Sequence, residues 1–455
     1  MKKMLLTLLT ILLLQALAAY QTVIQIDPNG WNNSRSGANE HVILTPGQPM
    51  LPFIPVGILL PFGEKYQDAV VTISASRLQA SGVQIAIARM QLPVSQARAD
   101  QDGEINGLDS SLLGNDKESR NTNRALPALD WEFLGTQYYR GNQIALFNIY
   151  PYKYNQSTKQ VFVSSEVSIT VNSAFNMEEA QYQANFYTPG SDTQKTLESL
   201  IINPETASSY QSAPSYRNVQ PGNRLIDLTF PKKMIIITDN GRISWFSQYS
   251  TWRESMGVSN AIYSMEDILA SYPGSDNAEK VRNFIIDAYQ TWATSSEPLQ
   301  YVILGGDDEI VPERGAYGQV GDTIDSRMPV DIYYSNLDGN WNANGNTIYG
   351  EQADNPDLIP EINIGRFPAE TEPEFQNMFR KTRYYVEQNT FSNNIALFLG
   401  ENLNMDPITW GGDYKDDVAQ FLPAAYDLQT LYQREGTYNS SSVWNAINNG
   451  AGIMN

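Results

Sequence analysis

The decisive stretch is Tyr301-Val302-Ile303-Leu304-Gly305-Gly306-Asp307-Asp308-Glu309-Ile310-Val311-Pro312. Four apolar residues break into two glycines and then three acids. This is the pattern of a buried parallel strand that delivers carboxylates at its carboxyl end, where ligand crevices of open α/β sheets lie. Two further blocks follow: Asp331-Ile332-Tyr333-Tyr334-Ser335-Asn336-Leu337-Asp338-Gly339-Asn340-Trp341, then Pro360-Glu361-Ile362-Asn363-Ile364-Gly365-Arg366-Phe367.

Working outward from Tyr301, the pattern predicts alternating strands and helices. Strands are expected at Met234–Thr238, Ala261–Tyr263, Ile362–Ile364 and Ile395–Leu399, and helices at Ile243–Met256, from Asp276 past Trp292, from Thr371 to about Gln388, and over Asp413–Leu422 and Val443–Asn448. Asp276 with Glu279, and Thr371 with Glu374, have capping-box spacing, and Pro373 suits a first turn. Val281, Phe284, Ile285, Tyr289 and Trp292 recur at helical spacing. Alternation of this kind implies right-handed crossovers and a mostly parallel sheet.

Before Pro231 the texture differs. Short β-branched runs at 70–73, 83–87, 143–148, 160–163 and 166–171, punctuated by Pro and Gly, predict a β-sandwich or barrel. The stretch 97–127 is polar and contains Arg98, Lys117, Arg120 and Arg124; it reads as a processing loop or a plain surface insertion. Residues 176–228 are rich in Gln, Ser, Asn, Tyr and Thr and read as a linker, with one or two helical turns near Thr193–Ile201. The expected organisation is therefore a signal peptide over 1–18, a β-rich domain over 19–175, a polar linker over 176–228 and an α/β domain over 229–455.

The N-terminus has the form of a secretory signal: Lys2 and Lys3, an apolar run from Met4 to Leu14, and Ala16-Leu17-Ala18 as the cleavage site. The run falls short of the roughly 20 apolar residues of a membrane span, so no membrane span is expected after cleavage and the protein is expected outside the cell or at its surface. The 455 residues include no cysteine and carry a net charge of −20. The first rules out a disulfide framework and His–Cys metal clusters. The second argues against nucleic acid, since an acidic surface gains nothing from phosphate contacts. His41, the one histidine, reads as a surface residue.

Several residues could carry chemistry. Glu361, at the start of a predicted buried strand, suits either an acceptor that orients a histidine or a structural partner for Arg366 or a backbone amide. Asp307, Asp308 and Glu309 suit metal or amine binding, or a turn that satisfies backbone amides. Asn340, Asn342 and Asn344, with Gly345 and then Glu351 at the twelfth position, have calcium-loop spacing, with Asp338 just ahead; the alternative is a polar Asn/Gly turn. Arg366 suits a buried ion pair. Glu370, Glu372 and Glu374 could contribute to a pocket for basic side chains, and helix capping is the simpler reading.

The three blocks quoted above, in that order, resemble the gingipain family of secreted cysteine peptidases from about Pro231 onward. Gly47–Pro52, Tyr139-Arg140-Gly141 and Pro151–Asn155 resemble the propeptide that precedes gingipain catalytic domains. The resemblance implies an α+β multidomain protein: a β-sandwich or barrel propeptide acting as intramolecular chaperone and inhibitor, then a caspase-like α/β/α sandwich. It implies peptide or protein substrates, a His–Cys pair, Glu361 as the acid supporting the histidine, and structural Ca²⁺. The chain departs from the family in having no cysteine. Gly450-Ala451-Gly452-Ile453-Met454-Asn455 resembles the start of the strand that precedes the catalytic Gly-His-Gly turn, so the catalytic domain is expected to be incomplete and the fragment inactive. Two other readings stay open: a sortase-like transpeptidase of the same family, and a non-catalytic, calcium-stabilised surface or binding module.

Overall fold

A computed structural model describes residues 18–35, 41–43, 45, 48–88, 124–211, 224–320, 323–356, 358–388, 393–405 and 408–455. All but the last residue of the expected 1–18 signal, and most of the 97–127 loop, lie outside these residues.

The N-terminal part is built from β1 (Ala18–Gln25), β2 (Ile54–Leu59), β3 (Glu64–Ile73), β4 (Arg77–Ser81), β5 (Trp131–Tyr139), β6 (Asn142–Ile149), β7 (Tyr152–Asn155), β8 (Gln160–Val163) and β9 (Glu166–Phe175). They form three antiparallel sheets of three strands, ordered β1-β9-β3, β2-β6-β5 and β4-β8-β7. Strict alternation sets the register. Val167, Ile169 and Val171 of β9 are fully buried, while the residues between them face outward. They join Val56, Ile58, Phe147, Ile149, Tyr154 and Val161 in one core. The run at 83–87 was expected as a strand and is not one. Val83 bonds to Lys159 and Ile87 bridges Pro49, so its backbone groups are satisfied one at a time outside a ladder.

The expected linker also differs. Within 176–211 lie α1 (Met177–Phe186), α2 (Ser191–Leu200) and α3 (Ser208–Gln211). Asn176 caps α1 by accepting from the Glu179 amide. Leu197, Ile201 and Tyr210 pack with Leu59 and Ile144. Asn203, fully buried, donates to the Leu59 carbonyl and accepts from its amide, as another strand would. The segment is packed structure.

Helix α1 sits between the two parts. The Glu179 carboxylate accepts from Tyr138 (2.9 and 3.1 Å) and from Gln183 (2.8 Å), and Gln183 in turn accepts from the Gly63 amide (2.8 Å). On its other side Phe186 belongs to the α/β core, and Tyr182 donates to the Asp338 carbonyl. Burial lifts Glu179 above the usual carboxylate range, opposed by its bonds from Gln183 and Tyr138 and by the charge of Lys65. A raised folded-state pKa means stability that is fully present below the unfolded pKa and lost as pH rises through the folded one. Glu179→Gln is therefore expected to flatten this dependence. Wild type should lose stability relative to the variant as pH rises from the acidic range to neutrality, read from urea midpoints at each pH.

The α/β part begins with β10 (Met234–Thr238), α4 (Ile243–Ser255), β11 (Asn260–Ser264), α5 (Met265–Ser271), α6 (Asn277–Trp292) and β12 (Tyr301–Gly305). A two-stranded antiparallel ribbon, β13 (Arg314–Val320) and β14 (Thr323–Val330), precedes β15 (Asn363–Phe367) and α7 (Glu372–Glu387). The sheet is parallel throughout, ordered β11-β10-β12-β15. Helices cover both faces. Ile235, Ile237, Val302 and Leu304 pack on Val281, Phe284, Ile285 and Tyr289 of α6. Met234 and Ile236 pack on Phe246, Tyr249 and Trp252 of α4 and on Phe375 and Phe379 of α7. Four consecutive apolar residues in β10 follow from this two-sided burial, each contributing about 1.5–3 kcal/mol.

The last segment comprises β16 (Ile395–Gly400), β17 (Asn402–Met405), β18 (Ile408–Trp410), α8 (Gly411–Ala419), β19 (Asp427–Tyr432), α9 (Ser440–Asn449) and β20 (Ile453–Met454). β19-β16-β20 is a second parallel sheet, with Ala396 opposite Ile453. Among the described residues no helix is long and apolar enough to cross a membrane.

Candidate functional site

Residues of interest gather at the two opposite edges of the four-stranded sheet. At the carboxyl edge, β10 runs into Asp239 and Arg242, β12 into Asp307, and β15 into Glu370 at the start of α7. The Asp307 turn is tied to its strand. Its side chain accepts from the Glu309 amide (3.2 Å) and its carbonyl from the Val311 amide (2.9 Å). Arg366 donates to the carbonyls of Gly306, Asp307 and Val311 and forms a two-pronged pair with Asp331 at 2.8 and 2.7 Å. This fits the ion-pair reading of Arg366. Arg242 pairs with Asp239 and donates to the Glu370 carbonyl at 2.8 Å. The Asp307 carboxylate, through a shared hydrogen bond and by repulsion, lifts Glu370 above the usual carboxylate range. Glu374 forms the capping box with Thr371. The edge is therefore a solvent-facing acidic rim on a rigid frame, chemically suited to attract cationic groups.

Glu361 lies at the other edge. It precedes β15 by two residues, in a bend, and β15 itself is half exposed. The expectation of a carboxylate heading a buried strand thus needs correcting: β15 is an edge strand covered unevenly, and Glu361 stands before its amino end. About 16 Å of strand separates Glu361 from the acidic rim. Glu361 is nonetheless fully buried. Its Oε2 accepts from the Leu337 amide at 2.7 Å, and its own amide donates to the Ser335 carbonyl at 3.0 Å.

The sequence reading missed the group that organises this edge. Arg282 of α6 donates to the carbonyls of Tyr333 (2.9 Å), Asn336 (2.7 Å) and Gly339 (2.8 Å), and its guanidinium stacks 4.9 Å from the Tyr333 ring. Burial pulls its pKa down, while Tyr333, Asp338 and Glu361 pull it up. Asn336 donates to the Ile359 carbonyl and accepts from Trp341. From the N-terminal part, Arg140 at the tip of the β5–β6 hairpin reaches the Glu361 carbonyl (3.2 Å) and Thr193 (2.8 Å). Arg140 and Gly141 have φ of 50° and 76°. A side chain on Gly141 would collide with the α1 backbone at Gln183 and Tyr187, so the tip needs glycine. Arg282 lies just outside the apolar stripe of α6, and nothing in local spacing marks it.

The five residues with calcium-loop spacing divide. Asp338 is buried, and its charge acts on Tyr182, Tyr138 and Arg282. The other four stay on one loop. Glu351 accepts from the side-chain amides of Asn344 (2.6 Å) and Asn346 (2.5 Å) and forms a reciprocal capping pair with Asp354. Asn340 and Asn344 side chains each accept from the amide two residues on, and the buried Asn342 Oδ1 has no donor. Among the described residues no three His, Cys, Asp or Glu side chains converge as a metal site. His41 is exposed and lies against Phe53.

β15 and β20 belong to different sheets, so Glu361 does not sit on a strand adjoining the terminal one.

An open parallel sheet covered by helices, with an acidic carboxyl edge, defines this part as an α/β unit. The family model described as peptidase family C25 matches residues 228–455, half of the sequence, and the chain belongs to that family. No curated protein matches. Among solved structures, a complex of the pro- and mature domains of RgpB from Porphyromonas gingivalis is similar at 17% identity and TM-score 0.34, over 49% of this chain and 46% of that one. The Arg-specific cysteine proteinase gingipain R matches at 17% and 0.34, over 51% and 48%. A structure concerning zymogenic latency of gingipain K from Porphyromonas gingivalis matches at 17% and 0.21, over 34% and 99%. The chain thus spans about half the length of the first two.

Proposed function

We propose that the chain is part of the precursor of an exported cysteine endopeptidase, with a propeptide over 19–175 and part of a caspase-like catalytic domain over 229–455. The family match over 228–455 is the observation that carries this reading. In the complete enzyme a cysteine thiolate attacks the peptide carbonyl and a histidine serves as base and then acid. Glu361, buried before the amino end of β15 and bonded to the Leu337 amide, supports the segment 335–337 in this reading rather than the histidine. The sequence has no cysteine, so residues 1–455 do not themselves supply this thiolate. Contacts of Arg140 and α1 with the α/β part support the N-terminal part as its intramolecular partner. The test is peptide hydrolysis by 1–455 beside the complete gene product. Only the latter should be active and blocked by thiol alkylation; thiol-dependent hydrolysis by 1–455 would refute the reading. Added amine acceptors distinguish a transpeptidase, which would yield aminolysis products.

We further propose that the loop 340–354 binds Ca²⁺ through Asn340, Asn342, Asn344, Glu351 and Asp354. The oxygen-rich donor set and the donorless Asn342 Oδ1 support this. Bound Ca²⁺ supplies positive charge that holds the loop together. Millimolar Ca²⁺ is expected to raise the melting temperature of wild type and leave that of Glu351→Gln nearly unchanged. An equal rise in both would count against the site.

A further inference from the structure

Helix α7 carries a polar stripe beside the core residue Phe379. Gln376, Phe379, Arg380 and Arg383 recur at i, i+3, i+4 and i+7 and share one face. Phe379 is buried against Tyr249 and Trp252 and forms a floor. The polar three stand over it, with Gln248 of α4 opposite. With Asn377 they line an open surface groove of about 380 Å³, and no carboxylate is among its lining residues.

The charge there runs against the rest of the molecule. Arg380, Lys381 and Arg383 place three of the chain's 30 Lys and Arg within four residues, in a chain of net charge −20. The two guanidiniums are under-used. Among the described residues, Arg383 donates only its Nε to Glu387 (2.7 Å), and Arg380 only one Nη2 contact to Asn377 (3.2 Å). The remaining N–H groups of both, with the amides of Gln248, Gln376 and Asn377, offer donors from two helices.

We propose that this groove binds a tetrahedral oxyanion, the phosphate or sulfate ester group of a small ligand. One carboxylate saturates a single guanidinium fork. Two forks plus side-chain amides match an anion with three or four acceptor oxygens. The acidic remainder of the surface disfavours extended polyanions and leaves a compact anion as the occupant.

Trp252 provides the readout. Its indole N–H and the Arg383 Nε share the same Glu387 oxygen, at 3.1 and 2.7 Å. An anion that draws Arg383 away changes the field at that indole. The experiment titrates the whole chain with sodium phosphate and with sodium sulfate, at fixed low ionic strength balanced by chloride. It follows the Trp252 indole resonance, assigned with Trp252→Phe. A saturable shift is expected, weakened about tenfold or more in Arg380→Ala/Arg383→Ala and unaltered in Lys381→Ala, which lies off the groove. The stronger of the two anions identifies the ester class. A shift equal to that with chloride or acetate, or an undiminished shift in the double variant, overturns the proposal. All three arginine and lysine positions are exposed, so these variants should fold. The inference is independent of the peptidase reading.

Discussion

Replacing Arg282 by methionine is expected to cost about 3–5 kcal/mol of stability. Methionine fills much of the volume and keeps the apolar stem, so the loss isolates the guanidinium. Three carbonyls, of Tyr333, Asn336 and Gly339, lose their donor together. Asp338 and Glu361 lose the cation that offsets their burial. Arg282→Lys should recover part of this, because it restores the charge but not the fork that reaches carbonyls several residues apart. The measurement is urea unfolding followed by tryptophan fluorescence. A loss below about 1 kcal/mol would mean that water replaces the guanidinium at these carbonyls and that the segment 333–339 is held by other contacts.

Glu361→Ala is expected to cost about 2–4 kcal/mol, against about 1 kcal/mol for Glu361→Gln, which retains an acceptor for the Leu337 amide. Leu337 is 1% exposed, so its amide has no route to water once the carboxylate is removed. Hydrogen exchange at that one amide should accelerate in the alanine variant and change little in the glutamine variant. Arg282 and Glu361 also act on the same segment, one through its carbonyls and the other through an amide. Their combined substitution should cost less than the sum of the two. Strict additivity would show that the two contacts are energetically separate. If both Glu361 variants matched wild type in stability and exchange, the residue would owe its burial to something other than the Leu337 contact.

Much of the α/β framework was legible because its strands obey simple rules. Met234–Thr238 is apolar at every position because helices cover both faces, and Asp276 and Thr371 announce their helices through capping chemistry that is local in sequence. Helix α1 was not legible. Its buried positions include Glu179 and Gln183, whose burial is offset by hydrogen bonds to Tyr138 and Gly63, partners far away in the chain. A helix that docks through polar groups shows no apolar stripe, and its stretch reads as linker. The site divided in the same way. Glu361 stands out in sequence, but its partner Leu337 is 24 residues away, and Arg282 answers to three carbonyls that no side-chain pattern encodes. Asp338 fitted a loop by spacing alone, whereas burial placed it with Tyr182 and Arg282.

The position of α1 has a thermodynamic corollary. One face of a ten-residue helix completes the hydrogen bonding of the β-rich part, and its last turn contributes Phe186 to the α/β core. Neither part can melt without stripping the other of a constituent. Heating should therefore give one calorimetric peak whose enthalpy belongs to the whole assembly, and a proteolytic nick anywhere along that helix should lower the transition temperature of residues on both sides of the cut.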